Sequence, residues 1–136
     1  MQNTLLISLV ICAVSISSIA SEQSNVLVYH SNEFNNQLRN VPIAVVMFYA
    51  PWCHYSQDLL PEFDTASSIV KYFPEVSLIK VDCYDQASKD TCIRQNIQGY
   101  PTVKIFKNGV FYKMYTGPRK SMEIIDYIFH LYDGTA

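Results

Sequence analysis

Apolar residues along the chain follow two spacings, one typical of buried strands and the other of amphipathic helices. Ile43–Tyr49 is an almost continuous apolar run, which predicts a strand buried on both faces. Shorter apolar runs predict four further strands. The predicted strands are residues 26–29, Ile43–Tyr49, 76–81, Thr102–Lys107 and 110–115.

Helical spacing predicts four helices between and after these strands. Ser31 can cap the first helix, since a serine side chain at that position accepts a hydrogen bond from a free amide of the first turn. The other predicted helices are residues 52–73, 86–97 and Ser121–Tyr132. The side chains expected to face the core are Leu59, Phe63, Ile69 and Val70 in the long helix, and Ile124, Ile125, Ile128 and Leu131 in the last one.

The clearest hairpin signal is Asn108-Gly109, which separates the last two predicted strands. Asn-Gly supplies the two positive φ angles that a tight type I′ turn requires, so these strands are predicted to be antiparallel. Earlier strands are joined by helices, which predicts parallel pairing. The order β-α-β-α-β-α-β-β-α therefore predicts an α/β fold, with a central mixed sheet covered by helices on both faces.

The first twenty residues carry no charged side chain. Residues 5–14 are apolar apart from Ser8, and Ser18-Ile19-Ala20 is a small-x-small pattern typical of signal-peptide cleavage. The uninterrupted apolar stretch is shorter than the roughly 20 residues that span a bilayer. We expect residues 1–20 to be a signal peptide and residues 21–136 to be a single domain, with no membrane attachment after cleavage. The alternative is an uncleaved membrane anchor.

Composition favours an ordinary folded domain. Of the 136 residues, 49% are hydrophobic and 16% are charged, which excludes a disordered chain. The net charge is −2 and the basic residues are scattered along the sequence. We expect no nucleic-acid partner, because phosphate binding needs a concentrated cationic face. The histidines lack metal-ligand spacing, and we expect no metal or other cofactor.

The cysteine count becomes informative once Cys12 is removed with the signal peptide. Cys53, Cys83 and Cys92 then remain, which is an odd number in a compartment where disulfides form. An odd cysteine in a secreted protein indicates a free thiol or an intermolecular disulfide. The count alone leaves open which of the three it is.

Cys53 lies between the buried strand Ile43–Tyr49 and the long predicted helix. The amides of a first helical turn are unpaired, and the helix dipole places partial positive charge at that end. Both effects favour the thiolate, which is the nucleophilic form of cysteine. His54 can add positive charge when protonated, and Trp52 is expected to shield one side of the sulfur.

Several short motifs resemble the protein disulfide isomerase family and occur in the same order as in that family. They are Phe48-Tyr49-Ala50-Pro51-Trp52-Cys53, Leu60-Pro61-Glu62-Phe63, Lys80-Val81-Asp82-Cys83, Gly99-Tyr100-Pro101-Thr102, Lys104-Ile105-Phe106, Asn108-Gly109 and Tyr115-Thr116-Gly117-Pro118-Arg119. The similarity runs from about Val26 to Tyr132. It implies a thioredoxin fold, with Pro101 in cis facing Cys53 and the Tyr100 backbone available to pair with a client strand.

The chain departs from this family at two positions that affect the chemistry. Ser56 stands where the family usually has a second cysteine, and Met47 stands where it usually has a buried glutamate that serves proton transfer. The resemblance therefore implies a monothiol site, in which Cys53 forms a mixed disulfide that no internal thiol resolves. Ser56 can instead donate a hydrogen bond to the Cys53 thiolate. Without the glutamate, Lys80 is interpreted as an ordinary strand lysine.

The resemblance also implies a pairing for the other two cysteines, because a few family members carry a bonded pair at similar positions. We therefore expect a structural disulfide between Cys83 and Cys92, and a second redox couple is the alternative. This pairing leaves Cys53 as the free thiol, in agreement with the motif around it.

These features predict a protein disulfide isomerase-like oxidoreductase that lacks a resolving cysteine. It would form mixed disulfides with cysteine-containing client proteins, as a slow isomerase or reductase or by retaining its clients, with glutathione as a candidate reductant. The predicted site consists of Cys53, Ser56 and His54 as catalytic residues and Trp52, Tyr55, Tyr100 and Pro101 as client-binding residues. We expect a monomer in the endoplasmic reticulum lumen or outside the cell. The alternatives are a non-catalytic chaperone or client-recognition module, and a protein that merely dimerises through Cys53.

Overall fold

The structure is a computed structural model that describes residues 31–135, apart from the side chains of Ser31 and Asn32. The predicted signal peptide, the strand predicted at residues 26–29 and the capping side chain of Ser31 lie outside the described part. In chain order the elements are α1 (Ser31–Leu38), β1 (Ile43–Tyr49), α2 (His54–Val70), β2 (Val76–Asp82), α3 (Lys89–Arg94), β3 (Thr102–Lys107), β4 (Val110–Met114) and α4 (Ser121–Tyr132). Within residues 31–135, no helix is both long enough and apolar enough to cross a membrane.

The four strands form one mixed sheet in the order β2-β1-β3-β4. β1 is parallel to β2 and antiparallel to β3, and β4 is antiparallel to β3. Every residue of β1 is buried, as its continuous apolar run predicts for a central strand. The predicted mixed sheet is therefore confirmed.

Alternate side chains of β1 belong to two separate core clusters, one on each face of the sheet. Val45 and Met47 pack with residues of α2 and α4, whereas Val46 and Phe48 pack with residues of α1 and α3. The cluster on the first face includes Leu59, Phe63, Ile124, Ile128 and Leu131. Helices thus cover both faces of the sheet, which confirms the predicted α/β architecture.

The structure corrects one core assignment and the lengths of two helices. Ile69 is 40% exposed, because the buried positions of α2 near it are Ala66 and Val70. α2 ends at Val70 and not at residue 73. Residue 73 precedes Pro74, and the proline ring disfavours helical backbone angles at the residue before it.

α3 is also shorter than predicted. It begins after a turn in which Asp82 Oδ1 accepts a hydrogen bond from the Tyr84 amide and Asp85 Oδ1 accepts one from the Ala87 amide. Such side-chain bonds to the backbone compete with helix formation. At its other end α3 ends before Asn96, which has a φ of +51°.

The hairpin between β3 and β4 forms as the sequence predicts. Asn108 and Gly109 have φ angles of +51° and +80°, as a type I′ turn requires. Gly109 is required for a second reason, because a Cβ at this position would lie 3.0 Å from the Cα of Arg39.

Candidate functional site

Cys53 is the N-cap residue of α2, directly after the short turn that leaves β1. Its backbone is extended, with φ −82° and ψ 123°, and its carbonyl accepts hydrogen bonds from the amides of Ser56 and Gln57 at 3.0 Å. Its thiol is half-buried and is the free cysteine of residues 31–135. The structure therefore places a partly accessible thiol where the unpaired amides of the helix begin.

The Cys53 thiol faces the segment that precedes β3. Its Sγ donates to the carbonyl oxygen of Tyr100 at 3.5 Å. The Tyr100–Pro101 bond is cis, which is the arrangement expected from the family resemblance. The Tyr100 ring meets the ring of Trp52 edge to face, with 6.0 Å between centroids. The fold thus brings Trp52, Cys53 and Tyr100 together. Pro101, which follows Tyr100, is buried.

Two aromatic side chains beside Cys53 are largely exposed. Trp52 has 63% of its surface exposed and Tyr55 has 65%. Exposed aromatic side chains next to a reactive group are suited to contact with a protein partner, because they bury large areas at low conformational cost.

The Ser56 side chain is completely buried. Its Oγ accepts a hydrogen bond from the Ala50 amide at 3.4 Å. The sequence predicts that this hydroxyl can donate to the Cys53 thiolate, whereas in the described residues the Cys53 thiol bonds to the Tyr100 carbonyl. Ser56 therefore connects the first turn of α2 to the end of β1.

His54 projects from the outer surface of α2. Its Nε2 lies 3.3 Å from Asp58 Oδ2, and both side chains are more than half exposed. Its ring is tilted against that of Tyr55, with 6.0 Å between centroids. In the described structure the hydrogen bond of Cys53 goes to Tyr100, and His54 is directed to Asp58.

A disulfide joins Cys83, which follows β2, to Cys92 in α3, with 5.7 Å between the Cα atoms. Both residues are buried, with 8% and 5% of their surface exposed. A buried bridge is poorly accessible to an attacking thiol, which suits the structural role expected for it better than a second redox couple.

Lys80 is a buried cation, so its interpretation as an ordinary strand lysine is wrong. It is 7% exposed, and its Nζ lies 2.5 Å from Oδ1 of Asp64 in α2. Met47 is its partner in the register of β1 and β2. The ammonium is therefore paired with a carboxylate from the helix, while the neighbouring strand position holds an apolar side chain. One feature of the sequence could have indicated a role for Asp64. It lies one helical turn after Leu60, at the border of the apolar face of the helix.

Tyr49, at the end of β1, is buried within the electrostatic influence of the Asp82 and Asp64 carboxylates. Burial, reinforced by the negative charges of Asp82 and Asp64, raises the pKa of Tyr49 above its ordinary value. Its hydroxyl therefore stays neutral at physiological pH. Across residues 31–135, no group of three or more His, Cys, Asp or Glu side chains is arranged to hold a metal ion.

Comparison with known proteins gives consistent matches over this domain. The family model described as thioredoxin matches residues 25–130. The curated protein "Probable protein disulfide-isomerase ER-60" of Schistosoma mansoni is 42% identical over 106 residues, which are 77% of this chain and 22% of that protein. The protein disulfide-isomerase of Ricinus communis is 38% identical over 124 residues, and the chain spans 25% of its length.

Solved structures also match this domain. The crystal structure of human ERp44 matches 75% of this chain and 31% of its own, with a TM-score of 0.68 and 36% identity. The crystal structure of the Trx4 domain of ERdj5 matches 78% of this chain and 94% of its own, with a TM-score of 0.64 and 29% identity. The described region therefore corresponds in length to one such domain.

Proposed function

The chain belongs to the thioredoxin family, and we propose that it captures cysteine-containing client proteins as mixed disulfides at Cys53 and releases them slowly. Its fold is the thioredoxin fold, and its relatives include protein disulfide isomerases. The observation that carries the proposal is the position of Cys53. It is the free thiol of the described residues, it stands at the N-cap of α2, and it faces the Tyr100 carbonyl.

Capture is a thiol–disulfide exchange. The Cys53 thiolate attacks one sulfur of a client disulfide, a bond forms between Cys53 and that sulfur, and the second client sulfur leaves as a thiolate. Release requires a further thiol, from the client or from glutathione, which attacks the client sulfur of the mixed disulfide and restores Cys53. If the client's own thiol attacks, the sequence is an isomerisation; if glutathione attacks, it is part of a reduction.

Ser56 accounts for the slow release. In a dithiol site, a cysteine at this position would attack the mixed disulfide from within. The Ser56 hydroxyl cannot form a disulfide, and it is buried against the Ala50 amide. Its role in this proposal is to hold the start of α2 against β1, which keeps Cys53 in place.

The surface around Cys53 supports binding of an extended client segment. Trp52 and Tyr55 supply exposed aromatic area on one side of the sulfur. Tyr100 and Pro101 supply a backbone edge on the other side, beside the thiol. His54 contributes positive charge near the site when it is protonated. These contacts all come from one chain, so capture by a monomer needs no second copy.

We also infer a location in the endoplasmic reticulum lumen or outside the cell. The uncharged apolar segment at residues 1–20 supports it, as does the similarity to protein disulfide isomerases. The buried disulfide supports it further, since such bonds persist mainly in oxidising compartments.

Trapping of a client tests the proposal. The reduced mature chain is mixed with insulin, whose chains are joined by disulfides, and the mixture is quenched with acid and separated without reductant. We expect an adduct that reductant removes and that mass spectrometry assigns to Cys53. The matched control Cys53→Ser should give no adduct. An adduct formed equally by the control would overturn the proposal.

A non-catalytic recognition module is the second candidate, favoured by the same exposed aromatic surface and by the absence of a resolving thiol. It predicts that Cys53→Ser binds a client peptide as tightly as the wild type and that the wild type gives no adduct. A reducible dimer at low protein concentration, in place of a client adduct, would indicate association through Cys53 instead.

A further inference from the structure

Cys83 and Cys92, which form the disulfide, belong to the core cluster against which Tyr100 packs, and Tyr100 is the residue that faces Cys53. The Cys83 amide donates a hydrogen bond of 2.8 Å to the carbonyl of Tyr49, at the end of β1 from which the chain turns towards Cys53. Cys92 lies in α3. The bridge therefore fastens α3 to the strand end that supports the reactive thiol.

α3 ends in a Schellman motif that begins at the carbonyl of Cys92. The Ile97 amide donates to that carbonyl at 3.1 Å, and the Asn96 amide donates to the Ile93 carbonyl at 2.9 Å. Asn96 has a φ of +51°. These two bonds around a left-handed residue define the motif. It sets the direction in which the chain leaves α3, just before Tyr100.

Further contacts hold the rest of this segment. Ile97 and Tyr100 pack against the core cluster that contains Cys83 and Cys92. The Thr102 hydroxyl donates to the Gly99 carbonyl at 2.8 Å, and the Lys104 ammonium donates to the Gln95 carbonyl. Residues 95–102 are therefore held at both ends, and the disulfide is the covalent part of this support.

We infer that the Cys83–Cys92 disulfide is a positioning element for client capture at Cys53, an inference that rests on the proposed function. The bridge holds α3, and through the Schellman motif it holds the Tyr100 carbonyl beside the Cys53 sulfur. A client disulfide must align with Cys53 while its backbone lies along Tyr100, so displacement of that carbonyl slows capture. A small disulfide needs no such alignment and reacts equally well without the bridge.

Two activated disulfides separate positioning from thiol reactivity. One is a peptide whose single cysteine carries a thionitrobenzoate group, and the other is the parent reagent dithiobis(nitrobenzoate). The Cys53 thiolate attacks the peptide sulfur of the first reagent, or one sulfur of the second, and forms a disulfide with it. The other sulfur leaves as coloured thionitrobenzoate. For Cys83→Ala/Cys92→Ala we expect the peptide reaction to slow by about tenfold, because small misplacements of reacting groups have large effects on rate. The parent reagent should react at the wild-type rate. An unchanged ratio of the two rates would overturn the inference.

A second pair of variants keeps the disulfide intact. Asn96→Ala strains the left-handed position of the Schellman motif, whereas Asn96→Gly accepts it without strain. We expect Asn96→Ala to slow the peptide reaction selectively and Asn96→Gly to match the wild type. Val70→Ala, in the core at the far end of α2, controls for general loss of stability. If it slows the peptide reaction equally, positioning is the wrong explanation.

Trp52 provides a readout that does not depend on the chemistry. It is the single tryptophan of the chain, and its ring packs on Tyr100. The indole bands at the long-wavelength end of its near-ultraviolet circular dichroism, where disulfides and tyrosines contribute little, should change in Cys83→Ala/Cys92→Ala and in Asn96→Ala but not in Asn96→Gly. If wild-type Cys53 reacts with neither reagent, the proposed function fails. The Trp52 signal then decides the positioning, which an unchanged spectrum in the disulfide variant would overturn.

Discussion

The Sγ atom of Cys53 lies 3.5 Å from the carbonyl oxygen of Tyr100, although 47 positions separate the two residues in the sequence. The contact joins the start of α2 to the turn before β3. A client that lies along Tyr100 would therefore bring its disulfide directly to the thiol. In the proposed function, recognition and covalent capture depend on this one contact.

The ion pair between Lys80 and Asp64 is predicted to stabilise the fold. Asp64→Ala leaves a buried ammonium without its partner and should lower the free energy of unfolding by about 1–3 kcal/mol, less than for a fully buried pair because the carboxylate is half exposed. Urea denaturation measures the change. Asp58→Ala, which removes an exposed carboxylate from the same helix, should cost less than about 0.5 kcal/mol.

Met47 offers a rescue of the Asp64→Ala variant, because it lies opposite Lys80 in the β1–β2 register. Met47→Glu should recover part of the lost stability in the Asp64→Ala background, by supplying a new carboxylate to the ammonium. In the wild-type background the same change should destabilise the protein, since it buries a second carboxylate. Equal effects in both backgrounds would argue against this pairing.

Because of Glu62, the free energy of unfolding is predicted to decrease as the pH becomes acidic. Its carboxylate accepts a 2.9 Å hydrogen bond from the Ser121 amide and lies 3.0 Å from the Lys120 ammonium. The Ser121 bond and then Lys120 lower the pKa of Glu62 from 4.5. Because the folded pKa is the lower one, this stabilisation is present above pH 4.5 and is lost as the pH falls through the folded value.

Chemical denaturation at a series of acidic pH values tests the role of Glu62. Glu62→Gln should be less stable than the wild type at neutral pH, and the difference should shrink as the solution is acidified. Glu75→Gln removes a half-buried carboxylate that makes no side-chain hydrogen bond or ion pair in the described structure, and it should follow the wild-type profile. A Glu62→Gln variant parallel to the wild type at every pH would refute the assignment.

Gly109, in the hairpin between β3 and β4, is predicted to be more sensitive to substitution than Gly99. Gly109→Ala forces a left-handed alanine and brings its Cβ within 3.0 Å of the Arg39 backbone. The left-handed strain alone should lower the free energy of unfolding by about 1–2 kcal/mol. Gly99→Ala is the control, because a Cβ there meets nothing within 4 Å. Thermal unfolding of both variants measures the difference, and equal midpoints would contradict it.

Local signals in the sequence predicted the elements whose structure is decided locally. The conformations of β1 and of the Asn108-Gly109 turn follow from the residues within each segment, and both form as expected. The segment of Tyr100 and Pro101 opposite Cys53 was expected only from its resemblance to family motifs, since no local pattern indicates that two distant segments meet.

Contacts between elements were the part that sequence patterns could not predict. Asp64 reaches Lys80, and Glu62 reaches the first amide of α4, only because of how α2 lies on the sheet and beside α4. The bond from the Ala50 amide to Ser56 likewise depends on the angle between β1 and α2. A single charged or polar side chain in a helix has many possible partners, and packing selects among them.

The lifetime of a mixed disulfide at Cys53 tests the central claim most directly. The adduct with a single-cysteine peptide is purified for the wild type, for Ser56→Cys and for the control Ser56→Ala, and peptide release is followed without added thiol. We predict that the wild-type and Ser56→Ala adducts persist until glutathione is added. Ser56→Cys should release its peptide at least about a hundredfold faster, because an internal thiol has a high effective concentration. A wild-type adduct that releases its peptide as fast as Ser56→Cys would contradict the account.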